Sequence, residues 1–298
     1  LEAIDMITPF RSALYMTQAA VVETPDLIVI VDPCWLPDEV ASIHQYVAAL
    51  AADKPRYLLF THSDFDHIIG YGAFAHESVN ASVQACSAVQ VISSQRMADK
   101  SASEQEAILE QIREFDDRYY IERDYPIMYP SVTIPVAQNG QQLAVGGTTL
   151  TFYLAPGHTD DGLMTIVEHI CDSSNESIGV LIAGDYLSDV EFPYIYHSSE
   201  AYLNTLVQAT RILEQHTITM LLPGHGNITC DHVEMRSRIS NSEQYIHALR
   251  AEAAQNMNTA NNEQWEEFLV NSRFPRHMRH YHEENQSLVA REQHPSRS

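Results

Sequence analysis

Hydrophobic and polar positions follow two rhythms along the chain, one suited to strands and one to helices. Residues 13–22 and 27–31 are β-rich runs parted by the turn chemistry of Thr24-Pro25-Asp26, and Asp32-Pro33 closes the second. Over residues 39–52 the apolar positions fall at helical spacing (Val40, Ile43, Val47, Leu50), and Asp53-Lys54-Pro55 ends the pattern. Residues 57–60 are a short continuous apolar run, which predicts a buried strand, and they lead straight into Thr61-His62-Ser63-Asp64. A further strand is predicted over 82–86. From 93 to about 125 the pattern turns charged and helix-favouring, with Ile108, Ile112 and Phe115 on one side. A segment this short cannot bury a core of its own, so it reads as a helical insertion, over about 93–130, in a single domain spanning 1–272.

The second half predicts strands at 132–135, 142–145 and 148–154, with Gly146-Gly147 turning between the last two. Strands at 163–168 and 177–183 follow, then an amphipathic helix over 200–216, a strand at 219–222, and helices over 232–254 and 263–270. The order predicts a layered α/β sandwich with two mixed sheets. Residues 273–298 hold five arginines, four histidines and three acids, and read as a tail draped on the surface.

Composition narrows the choice of partner. The 298 residues carry a formal net charge of −23, and the body before residue 273 carries −25. Lys54 and Lys100 are the only lysines. Such a chain lacks the clustered cations that grip a phosphate backbone, which excludes a nucleic-acid partner held that way. The longest apolar runs, such as 27–31 and 179–183, fall far short of the roughly 20 residues of a membrane span. Cys34, Cys86, Cys171 and Cys230 form no CxxC pair and read as buried thiols of a reducing compartment. No basic-plus-apolar leader opens the sequence, so the expected location is cytoplasmic. The expected partner is a small-molecule substrate, with a homodimer as the candidate assembly.

The chemistry concentrates in His62-Ser63-Asp64-Phe65-Asp66-His67, at the mouth of a predicted strand. Four metal-competent side chains within six residues are costly to crowd together without a cation. The plain alternative is a turn in which Asp64 caps a helix and the histidines face solvent. Three more candidate ligands each follow a predicted strand: His158 in Pro156-Gly157-His158, Asp185 in Ala183-Gly184-Asp185, and His225 in Pro223-Gly224-His225. Loops at strand ends are where α/β folds place ligands, and flanking glycines let backbone come close. Together these positions supply four histidines and three aspartates, enough for two metal ions with a coordination position left open.

Asp32, the 62–67 cluster, His158, Asp185 and His225, in that order and on those strand ends, resemble the metallo-β-lactamase-fold superfamily. The resemblance implies a four-layer αβ/βα sandwich with a binuclear site in the cleft between the sheets. It implies that His62, Asp64 and His158 hold one ion, that Asp66, His67 and His225 hold the other, and that Asp185 bridges them. It places Asp32 behind the ligands, where it orients rather than binds. Most members carry H-x-H-x-D-H where this chain has H-x-D-x-D-H. With Asp64, Asp66 and Asp185 the site carries −3, which two divalent ions and a hydroxide neutralise. That harder shell favours Mn or Fe over Zn relative to the histidine version. Thr159-Asp160-Asp161-Gly162 departs from the family's usual Thr-Pro-Gly-Ser and offers Asp161 as one more acid near the cleft.

The resemblance implies a metal-dependent hydrolase in which a metal-bridged hydroxide attacks a small ester, lactone or thioester. Asp66 would orient the nucleophile as well as ligate. Tyr194, one of several aromatics in the loop after Asp185 with Tyr186, Tyr196 and His197, is the candidate for leaving-group protonation. Arg96, Arg113, Arg118 and Arg123 either read a substrate anion or pair with the glutamates around them. Two other activities compete: phosphodiester hydrolysis, and a di-iron oxidoreductase of flavodiiron type, which Asp64 motivates and which needs a separate flavin partner. A non-catalytic module that kept the fold is the remaining alternative. Protein expressed in metal-replete medium is expected to contain at least one transition-metal ion per chain by elemental analysis. Less than one ion would favour the non-catalytic module.

Overall fold

A computed structural model describes residues 6–33, 35–51, 53–80, 89–170, 177–254 and 262–294. Strands β1 (Ile7–Arg11), β2 (Gln18–Glu23), β3 (Ile28–Val31), β4 (Arg56–Leu59), β5 (Gln90–Ser94) and β6 (Ile134–Val136) form one sheet in that order. The first two steps are antiparallel and the last three parallel. The second sheet runs β11 (Ile218–Pro223), β10 (Ser177–Gly184), β9 (Leu163–Ile170), β8 (Thr148–Leu154), β7 (Gln141–Val145), with β10–β11 its one parallel pair. Both sheets are mixed, as expected.

Burial on both faces explains why the central strands read as unbroken apolar runs. On β3, Ile28 and Ile30 face helix α1 (Pro37–Ala49), meeting Val40, Ile43 and Val47. Val29 and Val31 face the other way, into a core shared with Leu150, Phe152, Val180 and Ile182 of the second sheet. On β10, Leu181 and Ala183 point outward to helices α6 (Ser199–Gln215) and α7 (His232–Ala254). Helix, sheet, sheet, helix: the four layers expected from the sequence are present. Because β8 and β10 each run antiparallel to β9, their carboxyl ends lie at one edge of the second sheet together with the end of β11. The loop after β4 reaches that edge as well, where Leu163 N–H donates to the Thr61 carbonyl at 2.7 Å.

Several elements differ from the pattern reading. Residues 13–17 belong to the β1–β2 turn rather than to a strand, because Tyr15 and Met16 take left-handed φ angles of 50° and 52°. The strand expected at 82–86 lies outside the described residues. A strand, β5, occupies 90–94, so the helical stretch begins after it, with α4 (Gln95–Ala98) and α5 (Ala102–Tyr119). Short helices α2 (Phe65–Ile68) and α3 (Tyr71–Asn80), invisible to periodicity, follow β4. Among the cysteines, only Cys230 is described, and it is exposed rather than buried. No helix among the described residues is long and apolar enough to cross a membrane.

The largest correction concerns the expected tail. Residues Pro275–Gln293 form helix α9, which buries Met278, His282, Asn285 and Val289 against α7 and α8 (Asn262–Val270). Its basic residues hid a mixed stripe of two apolar and two polar side chains that only packing reveals. His282 is 3% exposed, beside the Trp265 ring at 4.5 Å, with its Nδ1 3.1 Å from the Tyr245 hydroxyl. Burial, aided by Arg279, pulls its pKa down to about 4. An unfolded histidine titrates near 6.5, so the neutral ring favours the folded state above that pH, and this contribution drains away as pH falls from about 6.5 to 4. Urea midpoints measured across this window should drop on acidification, and less so in His282→Gln. Identical slopes for the two proteins would refute the assignment.

Candidate metal centre

Every side chain of the site sits just past the carboxyl end of a strand, where backbone groups are no longer committed to the sheet. Asp32 follows β3 with a left-handed φ of 41°. His62, Asp64, Asp66 and His67 occupy the turn from β4 into α2, with Asp64 at the helix N-cap position making no side-chain capping bond. Its carboxylate turns inward instead, which removes the capping alternative. His158, Asp185 and His225 follow β8, β10 and β11. Glycine permits two of these approaches. Gly157 has φ +140° and its Cβ position lies 2.4 Å from the Tyr202 Cα, while a Cβ on Gly224 would meet Asp185 Oδ1 at 2.1 Å.

All four histidines are tied from behind through Nδ1. His62 Nδ1 lies 3.0 Å from the Thr61 hydroxyl, His67 Nδ1 is 3.1 Å from Asp32 Oδ2, His158 Nδ1 is 2.7 Å from the Tyr194 carbonyl and His225 Nδ1 is 3.0 Å from the Tyr15 carbonyl. Asp32 is itself pinned by the Thr61 N–H (2.9 Å) and hydroxyl (2.6 Å). An imidazole that donates through Nδ1 presents Nε2 in front, the arrangement found behind metal-binding histidines.

In front, the Nε2 atoms converge on Asp185. Its Oδ2 lies 3.6 Å from His62, 3.2 Å from His158 and 3.2 Å from His225, and its Oδ1 lies 3.0 Å from His67. Asp64 Oδ2 is 3.1 Å from His158 and 3.7 Å from His62, while Asp66 Oδ2 is 3.5 Å from both His67 and His225. Two groups of ligand atoms result, His62–Asp64–His158–Asp185 and Asp66–His67–His225, each with its atoms within 4.8 Å of one another. These are the seven residues named from the sequence.

The cluster fits a cation on two counts. Buried His62 Nε2, His67 Nε2 and Asp185 Oδ1 make no hydrogen bond of regular geometry, even though the last two lie 3.0 Å apart, whereas buried polar atoms are nearly always satisfied. The field is also strongly anionic. Burial alone would lower the histidines, yet hydrogen bonds to Asp185 and Asp64 raise His158 to about 10, and Asp185 with Glu191 raises His225 to about 10. Burial would likewise raise the two carboxylates, but His158 and His62 hold Asp64 well below the usual range, and His225, His67 and His62 do the same for Asp185. A divalent ion satisfies the same carboxylates while taking the Nε2 lone pairs.

Tyr194 lines the cavity, but its hydroxyl donates to Glu284 of α9 and its ring stacks on Tyr281 at 3.9 Å. Tyr186 is buried and bonded to the Ala155 carbonyl, and His197 is exposed. Tyr196 faces His158 at 5.4 Å between ring centroids. Asp161 does not reach the cleft; it is buried, 3.4 Å from Lys100. Arg96 pairs with Glu104 and Asp160, Arg113 with Glu106 and Glu110, and Arg123 with Asp116. Glu191, Tyr281 and Phe192 also line the cavity, and none was singled out from the sequence. Burial holds the Glu191 carboxyl above its ordinary value.

A sandwich of two mixed sheets with a histidine–aspartate cluster at the strand ends defines a class of metal-site proteins. The Metallo-beta-lactamase superfamily model matches residues 14–169, and the chain belongs to this superfamily, most of whose members are metal-dependent hydrolases. Among solved structures, a HARLDQ-motif metallo-beta-lactamase variant from Cronobacter sakazakii is 18% identical with a TM-score of 0.55, over 85% of this chain and 96% of that one. ETHE1 from Myxococcus xanthus is 18% identical with a TM-score of 0.52, over 86% and 92%. An archaeal metallo-beta-lactamase superfamily protein from Sulfolobus tokodaii is 14% identical with a TM-score of 0.51, over 97% and 98%. These likenesses carry the fold. Compared by sequence with curated proteins, the chain matches none. Gly224→Ala should displace Asp185 and weaken metal binding at least tenfold in chelator competition while far-ultraviolet circular dichroism stays unchanged. Binding as tight as wild type would contradict the close approach.

Proposed function

We propose that the cluster holds two divalent ions and that the chain hydrolyses a small neutral ester, lactone or thioester. The observation that carries this is the convergence of four buried Nε2 atoms on one carboxylate, Asp185, at 3.0–3.6 Å. His62, Asp64 and His158 would hold one ion and Asp66, His67 and His225 the other, with Asp185 between them. Such ions supply Lewis acidity, polarising a carbonyl and making water nucleophilic at neutral pH. Asp66 stands beside both His67 and His225 and would accept a hydrogen bond from the attacking water, fixing its direction. For the leaving group, the Tyr194 hydroxyl is engaged by Glu284, whereas the Tyr196 hydroxyl has no partner among the described residues and its ring lies 5.4 Å from that of His158. Tyr196 therefore takes the donor role first expected of Tyr194.

The cavity supports a neutral substrate. Its lining combines the candidate ligands His158, Asp185 and His225 with Glu191, Leu187, Phe192, Pro193 and Tyr281, and no lysine or arginine is among the described residues that line it. A phosphodiester would meet carboxylates without a cationic side chain to offset them. Protein loaded with Mn, Fe or Zn should turn over at least one member of a panel of esters, lactones and thioesters, and turn over bis-p-nitrophenyl phosphate more slowly. Inertness against the whole panel with every metal would refute the reading. Asp64→His should move metal preference toward Zn, read as a change in the Zn-to-Mn affinity ratio of at least tenfold; an unchanged ratio would show that Asp64 does not set it.

A further inference from the structure

Of the four groups that tie the histidines from behind, three belong to the sheets or their tight turns. Asp32 and Thr61 lie one and two residues past β3 and β4, and Tyr15 lies in the β1–β2 turn. The fourth, the Tyr194 carbonyl behind His158, belongs to residues 185–198, which contain no helix or strand. Something else must fix that carbonyl, since a loop free to drift would let the His158 ring turn.

Helix α9 supplies the restraint. Asn285 is fully buried; its Nδ2 donates to the Pro193 carbonyl at 2.7 Å, and its Oδ1 accepts from the Ile195 N–H at 2.8 Å. One side chain thus closes on both peptides flanking Tyr194. Its second N–H donates to the Tyr245 hydroxyl at 3.0 Å, so both donors and the acceptor of the amide are used. Leucine offers neither function, aspartate offers only the acceptor, and glutamine is one methylene too long. Two neighbours on the same helix grip the Tyr194 side chain: Glu284 takes its hydroxyl and Tyr281 stacks on its ring, with 10° between planes. Beyond the clamp the chain folds back on the ligand, since Tyr196 and His197 N–H both donate to the His158 carbonyl at 2.9 and 3.0 Å.

We infer that Asn285 is a positioning residue for His158: by clamping Pro193 and Ile195 it fixes the Tyr194 carbonyl that holds the His158 ring with Nε2 toward Asp64 and Asp185. The inference rests on the metal-site reading only for its consequence, loss of metal affinity; the clamp itself is testable without metal. It also gives α9, which lies beyond residues 14–169, a place in the centre.

The test uses the full chain. Zinc titrations in competition with a chelator should show two binding steps in wild type, and Asn285→Ala should weaken one of them by 10–100-fold, the range expected when a partner behind a ligating histidine is lost. The weakened step should be the one that His158→Ala removes, with the other unchanged. Asn285→Asp, which keeps only the bond from Ile195, should fall at or below the alanine variant. Folded variants that bind both ions as wild type does, or that weaken both steps equally, would overturn the inference. Absence of zinc binding by wild type would overturn the metal-site reading instead. Independently of any variant or metal, ¹⁵N-histidine spectra of the wild-type chain should show a His158 Nδ1 proton protected from exchange as well as that of His67. A freely exchanging proton would overturn the clamp.

Discussion

Seven ligand-type side chains share one buried cleft, and the constraint that governs the rest is that each imidazole must be held from behind. Bringing Asp64, Asp66 and Asp185 together costs several kcal/mol per uncompensated charge. The four Nε2 atoms meet those carboxylates at one place only if they all point inward. The direction comes from the Nδ1 side, where Thr61, Asp32, Tyr194 and Tyr15 each accept one bond. Those acceptors lie in four separate parts of the chain. The β1–β2 turn, the ends of β3 and β4, and the loop after β10 are consequently parts of the centre, and through that loop so is α9.

Charge acts at two scales. The chain as a whole is strongly acidic, and α5 itself carries more acids than arginines, with Arg113 held in surface pairs with Glu106 and Glu110. Exposed pairs of this kind contribute little to stability, and no lysine or arginine is among the described residues that line the cavity. Within the cleft, the aspartate at position 64 replaces a neutral ligand by an anionic one. The first is a property of the surface and the second of the ligand cluster. The two were separable only once the helix pairs and the ligand cluster could be seen apart.

Strands buried on both faces, such as β3, β4 and β10, were readable because an apolar run of four to eight residues has few other uses. Residues 13–17 were not readable: a run of β-favouring residues carries no mark of the left-handed turn at Tyr15 and Met16. Strand β5 was missed where residues 90–94 mix serine with valine and isoleucine, because Ser93 and Ser94 spend their hydroxyls on the Phe60 and Asp161 carbonyls. Helix α9 read as a tail because Met278, His282, Asn285 and Val289 are a mixed stripe, and two of the four are polar. Their bonds to Tyr245 and Pro193 make them core residues, and those partners are more than thirty positions away.

What the sequence by itself determined is the inventory: a sandwich of two mixed sheets and seven candidate ligands, each just past a strand. The strand ends are local features, and the spacing of histidine and aspartate within 62–67 is local too. What only the tertiary structure decided is which way each side chain faces and what stands behind it. Asp161 turned to Lys100 rather than the cleft, the Tyr194 hydroxyl went to Glu284 while its carbonyl went to His158, and Asn285 came to clamp a loop ninety residues earlier. Orientation of that kind is set by hydrogen bonds between distant segments, and no periodicity along a single segment encodes it.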